Sequence, residues 1–324
     1  MNPEIFPGSG IWLRCQLHSH TTNSDGEATP DELIAHYAKS GFDVLAITDH
    51  WHATACEDQR LLVISSSELS ARVPAAHGAR ATIAPEAEIL ALGVGEIPER
   101  REHFPTIEQA AAWIVAAGGV PFLAHPHWSG LDADDYLEAP SLAGIEIFNG
   151  GCELESGSGT ADELWDAVRS RGRACLGIAT DDCHQPGRDS NRGWTVVRAA
   201  ARTREAVLEA LRSGAFYASS GPRIDDLRLD GWELEVRCSP AVAVSLRSAP
   251  WDGARANADR SLMSWRGEAL ERDADDLIVR VRLRCPERAG WGRIEVLGAD
   301  GSRAWTNPLQ LPLAPAGTQS NWSD

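Results

Sequence analysis

The chain has 324 residues, 43% of them hydrophobic, which is enough for one large domain or two and for a full core, so disorder is not the default. Its formal charge is −17, and all but one of its 30 basic residues are arginine. That balance argues against holding nucleic acid or an anionic membrane by surplus basic charge. The lone Lys39 cannot complete a GxxxxGK phosphate loop, and on a predicted polar helix surface it is a poor Schiff-base lysine.

No run approaches the ~18 apolar residues of a membrane span, and the opening MNPEIFPGSG lacks the order of a signal peptide, so a cytoplasmic protein is expected. The seven cysteines are odd in number, spread out and without CxxC pairs, as suits reduced thiols. The ten histidines all precede residue 185, which divides the chain into chemically unequal parts.

In chain order, apolar runs at 13–17 and 44–48 flank TPDELIAHYAKSG. There Thr29 is placed as N-cap, Pro30 as the first helical residue, Glu32 as capping-box partner and Gly41 as the stop. The grammar repeats with LLVIS at 61–65, EILALGV at 88–94, and a helix at 106–118 opened by Thr106 and Gln109. VPFLA follows at 120–124, then GIEIF at 144–148 and a helix at 161–170 capped by Thr160 and Glu163. CLGIAT at 175–180, WTVV at 194–197 and a helix at 204–212 complete the series. Alternating β and α elements predict an α/β domain over 11–220 with a largely parallel sheet, closed or nearly closed into a (β/α) barrel. Beyond Gly221 the pattern turns to period two, as in LIVRVRLR at 277–284, and predicts a small antiparallel β-sandwich domain over 221–313, followed by a loose polar tail at 314–324.

The polar residues of interest cluster just past predicted strand ends, where such barrels place their chemistry. His18 and His20 leave the first strand two residues apart and so on one side of it. His50 ends the second, Glu68 follows the third, Glu88 opens the EILALG run, His125 ends VPFLA, and Asp182 and His184 follow CLGIAT, with Asp25 in the loop after the first pair. A lone histidine at a strand end is more often a satisfied polar residue, but four such ends carry histidine, two of them as HxH or DxH pairs. Together they predict a polynuclear site for ions such as Mn, Fe or Zn. Such a site activates water: a hydroxide bridging two divalent ions forms near neutral pH and can attack phosphorus in line.

The stretch LHSHTTNSDGEATPDELIAHYAKSGFDVLAITDH resembles the opening of the PHP (polymerase and histidinol phosphatase) family of metal-dependent hydrolases, with the Glu of SSSEL, the AHP at His125 and DDCH in family order. The resemblance covers about 11–220 and implies a distorted (β/α)7 barrel with two or three divalent ions (Mn, Fe or Zn). It assigns His18, His20, Glu68 and Asp182 to one ion, Glu68, His125 and position 88 to a second, and Asp25, His50 and His184 to a third. Position 88 departs from the pattern, since many relatives have histidine there and this chain has Glu88. The C-terminal part, with GPRI and AWTNP, resembles the carbaryl-hydrolase-like branch.

Around these ligands, Asp182 is the central catalytic ligand, and His127 is a candidate for protonating a leaving group or for a merely polar role. Arg192 is a candidate phosphate clamp and Asn149 a candidate substrate contact or turn cap. Asp49 and Asp181 adjoin ligands and suit hydrogen bonds that orient them. Cys183, between Asp182 and His184, points away and packs; His36, His52, His77 and His103 default to solvent. The expected activity is a phosphoesterase (EC 3.1) acting on a small-molecule ester. The alternative is hydrolysis of carbamate, ester or amide bonds by the same centre, and a non-catalytic scaffold is the third reading. An arginine near the ions favours the first, and an apolar pocket lined by Trp51 and Trp128 the second.

Overall fold

The computed structural model describes residues 10–73, 86–98, 103–249, 252–287 and 289–313. The predicted tail at 314–324 and His77 lie outside these residues. The chain forms two units that divide between Gly221 and Pro222. Among the described residues no helix is long and apolar enough to cross a membrane.

The first unit is an α/β fold of β1 (Ile11–Gln16), α1 (Pro30–Lys39), β2 (Val44–Ile47), β3 (Leu62–Ser65), β4 (Ser67–Arg72), β5 (Glu86–Leu92), α2 (Ile107–Ala116), β6 (Val120–Leu123), α3 (Ala133–Leu137), β7 (Gly144–Asn149), α4 (Gly150–Ser156), α5 (Asp162–Ser170), β8 (Leu176–Thr180), β9 (Trp194–Ala199), α6 (Arg204–Ser213) and β10 (Phe216–Ser219). Strands pair in the orders β10-β9-β1-β2-β3 and β4-β5-β6-β7-β8. The runs β1-β2-β3 and β6-β7-β8 are parallel, as expected. The contacts of β9 with β1 and β10, and of β5 with β4 and β6, are antiparallel. The sheet is therefore less parallel than the alternating grammar predicts. The extra antiparallel strand β4 has the sequence SELSAR, which offers no apolar run although five of its six residues are buried.

Isolated bridges Ser19–Cys183 and His50–Glu68 tie the chain leaving β1 to that leaving β8, and the end of β2 to β4. Every other residue of β1 and its exit, Leu13, Cys15 and Leu17, enters a core shared with Val44, Leu90, Phe122, Ile178 and, from α6, Leu208 and Leu211. Helix α1 starts as the sequence predicts, with the reciprocal Thr29–Glu32 capping box. Thr106 accepts from the Gln109 N–H at the start of α2. Helix α5 corrects its prediction: Ala161 is the N-cap and makes no side-chain cap bond. Thr160 is instead in an extended bridge with Phe148, and its carbonyl accepts from His127, which commits its backbone outside the helix.

The second unit contains β11 (Ile224–Asp230), β12 (Glu233–Ala241), β13 (Ala243–Ala249), β14 (Asp252–Asn257), β15 (Gly267–Arg272), β16 (Ile278–Arg284), β17 (Trp291–Leu297), β18 (Arg303–Thr306) and β19 (Leu309–Gln310), with no helix among its described residues. The orders β11-β12-β16-β15 and β14-β13-β17-β18 are antiparallel throughout. Period two is realised literally: Leu234 and Val236 oppose Leu283 and Val281 on the buried face, while Arg280 bridges Glu235 and Glu271 on the other.

Candidate metal centre

Local structure delivers the histidines of β1 to one point. Gln16 Oε1 accepts from the N–H groups of Leu17, His18 and Asp181, pinning the exit of β1 to that of β8. Asp49, one residue before His50, accepts from Thr21 N (2.7 Å), Thr21 Oγ1 (2.8 Å), Ser24 Oγ (2.8 Å) and Thr54 Oγ1 (2.5 Å), which folds the loop carrying Asp25 back over His20. Gly26 is required there, because a Cβ would lie 2.4 Å from the His20 carbonyl. Asp181 takes the Tyr37 hydroxyl and the N–H groups of Asn191, Arg192 and Gly193. Both aspartates next to ligands thus orient the loops that bear them. Three strand exits are strained: Trp51, His125 and Asp182 have φ of 52°, 25° and 55°. Such left-handed conformations in non-glycine residues concentrate at functional sites.

Four ligand atoms converge most tightly. His18 Nε2 and His20 Nε2 lie 3.1 Å apart, and each is 3.1–3.2 Å from Glu68 Oε2 and from Asp182 Oδ1. A cation ~2.0–2.2 Å from each ligand atom needs neighbouring ligands roughly 2.8–3.6 Å apart, whether octahedral or tetrahedral, so these donors fit one ion. Asp182 Oδ1 is buried with no well-formed hydrogen bond, the state of an oxygen whose partner is a cation. Glu68, on β4, turns its other oxygen to His125 Nε2 at 3.2 Å, and Glu88 Oε2 lies 3.4 Å from the same nitrogen. His50 Nδ1 stands 3.5 Å from Glu68 and 3.7 Å from Glu88, while its Nε2 is 3.5 Å from Asp25. Asp25 also meets His184 Nε2 at 3.5 Å and His20 Nδ1 at 3.4 Å. Eight of the nine predicted ligand residues fall into three groups that could each hold an ion, His18–His20–Asp182, His50–Glu68–Glu88 and His20–Asp25–His50–His184, and His125 adjoins the second through Glu68 and Glu88. The groups grade from sealed to open: His18 and His20 are wholly buried, whereas the Asp25 side chain is 54% exposed.

The charges follow from this crowding. Burial opposes protonation of His20, but Asp182 and Glu68 outweigh it and push it up to about 10. His125 is raised to about 9 over the same opposition, mainly by Glu68. The charge of Glu68, then burial, pushes Glu88 up to about 8. Asp182 is held far below the usual carboxylate range despite burial, by His18 first and then His20. Protons here occupy a site that carboxylates make attractive to cations.

Glu146, in the middle of β7, escaped the sequence reading. It is buried and accepts from His18 Nδ1 (2.8 Å), His125 N (2.7 Å), Asn149 Nδ2 (2.8 Å) and Thr180 Oγ1 (2.5 Å). The signal available was a charge inside the apolar run Gly-Ile-Glu-Ile-Phe. Asn149 is fully buried; it caps α4 and donates to Glu146 and Asp182.

Two candidates stand away from the ligand groups. The exposed His127 donates to Thr160 O (2.8 Å) and lines a separate cavity with Asp132 and Leu164, because it lies in the turn that follows the left-handed backbone of His125 and not on a strand. Arg192 folds its guanidinium onto the Arg188 carbonyl and is absent from the wall of the ligand cavity. Arg188, four residues earlier, lines that cavity instead. Trp128 lines it as expected; Trp51 stacks on Phe104 at 5.7 Å and does not. Cys183 is buried and donates to Asp189, in keeping with a packing role.

Fold and site define an α/β protein with a histidine- and carboxylate-built cation site. Residues 16–172 match the family model described as PHP domain. Among solved structures, the chain resembles a two-domain protein containing a predicted PHP-like metal-dependent phosphoesterase from Bacteroides vulgatus, at 18% identity and a TM-score of 0.50 over 95% of this chain and 99% of that one. It also resembles an amidohydrolase from Chromobacterium violaceum with bound sulfate and no metal (18% identity, TM-score 0.40, 54% of this chain and 89% of that one). A third is a lesion-specific endonuclease from Pyrococcus furiosus (13% identity, TM-score 0.44, 63% of this chain and 56% of that one). The first of these likenesses concerns the fold alone. No curated protein matches the chain.

Proposed function

We propose that this protein is a metal-dependent hydrolase that cleaves small phosphate esters, with residues 11–220 as its catalytic domain and the antiparallel strands after Gly221 as a sandwich without metal chemistry. The observation that carries the reading is the tight set of His18 Nε2, His20 Nε2, Glu68 Oε2 and Asp182 Oδ1, in which each nitrogen lies 3.1–3.2 Å from the other nitrogen and from both oxygens. Divalent ions such as Mn, Fe or Zn in this set would lower the pKa of coordinated water to about 7 and offset phosphoryl charge. His18, His20, Glu68 and Asp182 would hold the first ion, Glu68, His125 and Glu88 the second, and Asp25, His50 and His184 the third. Asn149 acts as a positioning residue for Asp182 rather than as a substrate contact. Arg188 on the cavity wall favours an anionic substrate. Trp128 supports the second reading, a carbamate, ester or amide hydrolase of the carbaryl-hydrolase-like kind.

The test is metal analysis of the purified chain after metal-supplied expression, followed by a screen of p-nitrophenyl phosphate mono-, di- and triesters beside aryl carbamates and esters with Mn, Fe, Zn and Co. At least one tightly held equivalent and phosphoester turnover are expected. Less than one equivalent overturns both hydrolytic readings, and turnover of carbamates alone selects the second.

A further inference from the structure

The ligand cavity is far larger than its reacting centre. Its volume is 720 Å³, within the range of pockets for drug-sized ligands, whereas a phosphate group fills roughly 100 Å³, about three waters' share. The rest of the wall is chemically uneven. Trp128 packs edge-on against His125 (5.2 Å between ring centres, 75° between planes) and is still 46% exposed, and Leu154 of α4, which lines the same cavity, is 45% exposed. Large apolar side chains left half in water at a cavity mouth are free to gain from burial by a ligand. Arg188 bonds only to the neutral Gln185 Oε1 at 2.7 Å, with no carboxylate in ion-pair reach among the described residues. Glu155 and Asp189 also line the wall, so a second phosphate would meet negative charge.

We propose that the substrate is a phosphate monoester of an aromatic alcohol, its phosphoryl group against Arg188 and its ring against Trp128 and Leu154. This rests on the phosphoesterase reading and narrows it. A water oxygen forms the new bond to phosphorus, the ester P–O bond breaks with its electron pair on the phenolic oxygen, and the proton released from water balances the one the phenolate takes up. A phenolate, whose acid has a pKa of about 10, leaves with less help from a proton donor than an alkoxide does. That suits a cavity whose described histidines, His50, His125 and His184, all stand against the carboxylates Glu68 or Asp25.

The experiment compares kcat/KM of the metal-loaded full chain for 1-naphthyl phosphate, glycerol phosphate and an aromatic bisphosphate. The wild type should prefer the naphthyl monoester to both others. Trp128→Ala should cut the naphthyl-to-glycerol ratio about tenfold with metal content retained, and Trp128→Phe should restore most of it. Arg188→Ala should raise the inhibition constant of inorganic phosphate about tenfold or more. A ratio insensitive to Trp128→Ala, or a preference for the bisphosphate, overturns the inference while leaving the phosphoesterase reading intact. If no phosphate ester turns over in fully metal-loaded protein, the underlying reading falls and this inference with it.

Discussion

Glu146→Gln probes how the protein aims its ligands. Glu146 Oε1 accepts from His18 Nδ1 and Thr180 Oγ1, and Oε2 accepts from His125 N and Asn149 Nδ2, all within 2.5–2.8 Å. Glutamine has nearly the same shape but must place an NH2 on one of these sides, so two of four donors lose their acceptor. At ~1.5–3 kcal/mol for each bond to a charged group, the ceiling on the loss is about 3–6 kcal/mol before relaxation. The consequence for ligation is directional. With Nδ1–H given to Glu146, His18 presents a bare Nε2 to Glu68, Asp182 and the expected ion. An amide NH2 facing Nδ1 favours the other tautomer and puts a proton on Nε2, where the ion should sit. Loss of such a carboxylate behind a ligating histidine typically weakens metal binding 10–100-fold, about 1.4–2.7 kcal/mol. The assay is chelator competition on the full chain, with thermal melts run with and without metal. A tenfold or greater loss of affinity is expected, together with a smaller metal-induced rise in Tm. Wild-type affinity in a destabilised Glu146→Gln would refute the reasoning, since it would reduce Glu146 to a packing role.

Other outcomes follow from the same geometry. His20→Ala and Asp182→Asn should abolish turnover with Tm changed by only a few degrees, because both sit at strand exits and asparagine tolerates the φ of 55° at position 182; near-full activity in either would remove them from the ligand set. Glu88→His should change metal content or preference, measured by elemental analysis, by replacing a hard oxygen donor with an imidazole, and unchanged content and activity would mean that residue 88 binds no ion. Metal uptake at pH 7 should release protons, because His20 at about 10 and His125 at about 9 are both raised and hence protonated in the metal-free site. Calorimetry in buffers of different ionisation enthalpy should therefore report three or more protons released, because Glu88 at about 8 gives up one as well, with affinity increasing toward pH 9. The sign for the metal-free fold is opposite: these raised groups stabilise it fully below about pH 6.5 and cease to do so as pH passes 9 to 10. Affinity that falls as pH rises from 6 to 8 would contradict the proton release, and a metal-free Tm that rises from pH 7 to 10 would contradict the second sign.

Much of the site was legible because it is local in sequence. His18 and His20 share a side of β1's exit through an i, i+2 spacing, the Thr29 capping box sets α1 between the first two parallel strands, and His50, His125 and Asp182 each follow an apolar run that became β2, β6 or β8. The C-terminal alternation is equally local, and LIVRVRLR became β16 with its arginines and aliphatic residues on opposite faces. What the sequence could not supply depends on who stands opposite. β4 has polar residues buried on both faces, so no hydropathy period marks it, and only its pairing with β5 makes Glu68 a strand residue. Glu146 matters through partners from β1, β6 and β8 that lie far away along the chain. Arg188 rather than Arg192 faces the cavity because the 185–193 loop closes on Asp181 and Asp189, a turn built from hydrogen bonds and not from any residue period. Residue order alone therefore marks the candidate ligands and, Glu68 on β4 apart, the strands whose ends bear them. Tertiary packing decides which carboxylate holds the imidazoles, which arginine lines the cavity and which histidine turns away, because each depends on distances between segments remote in the chain.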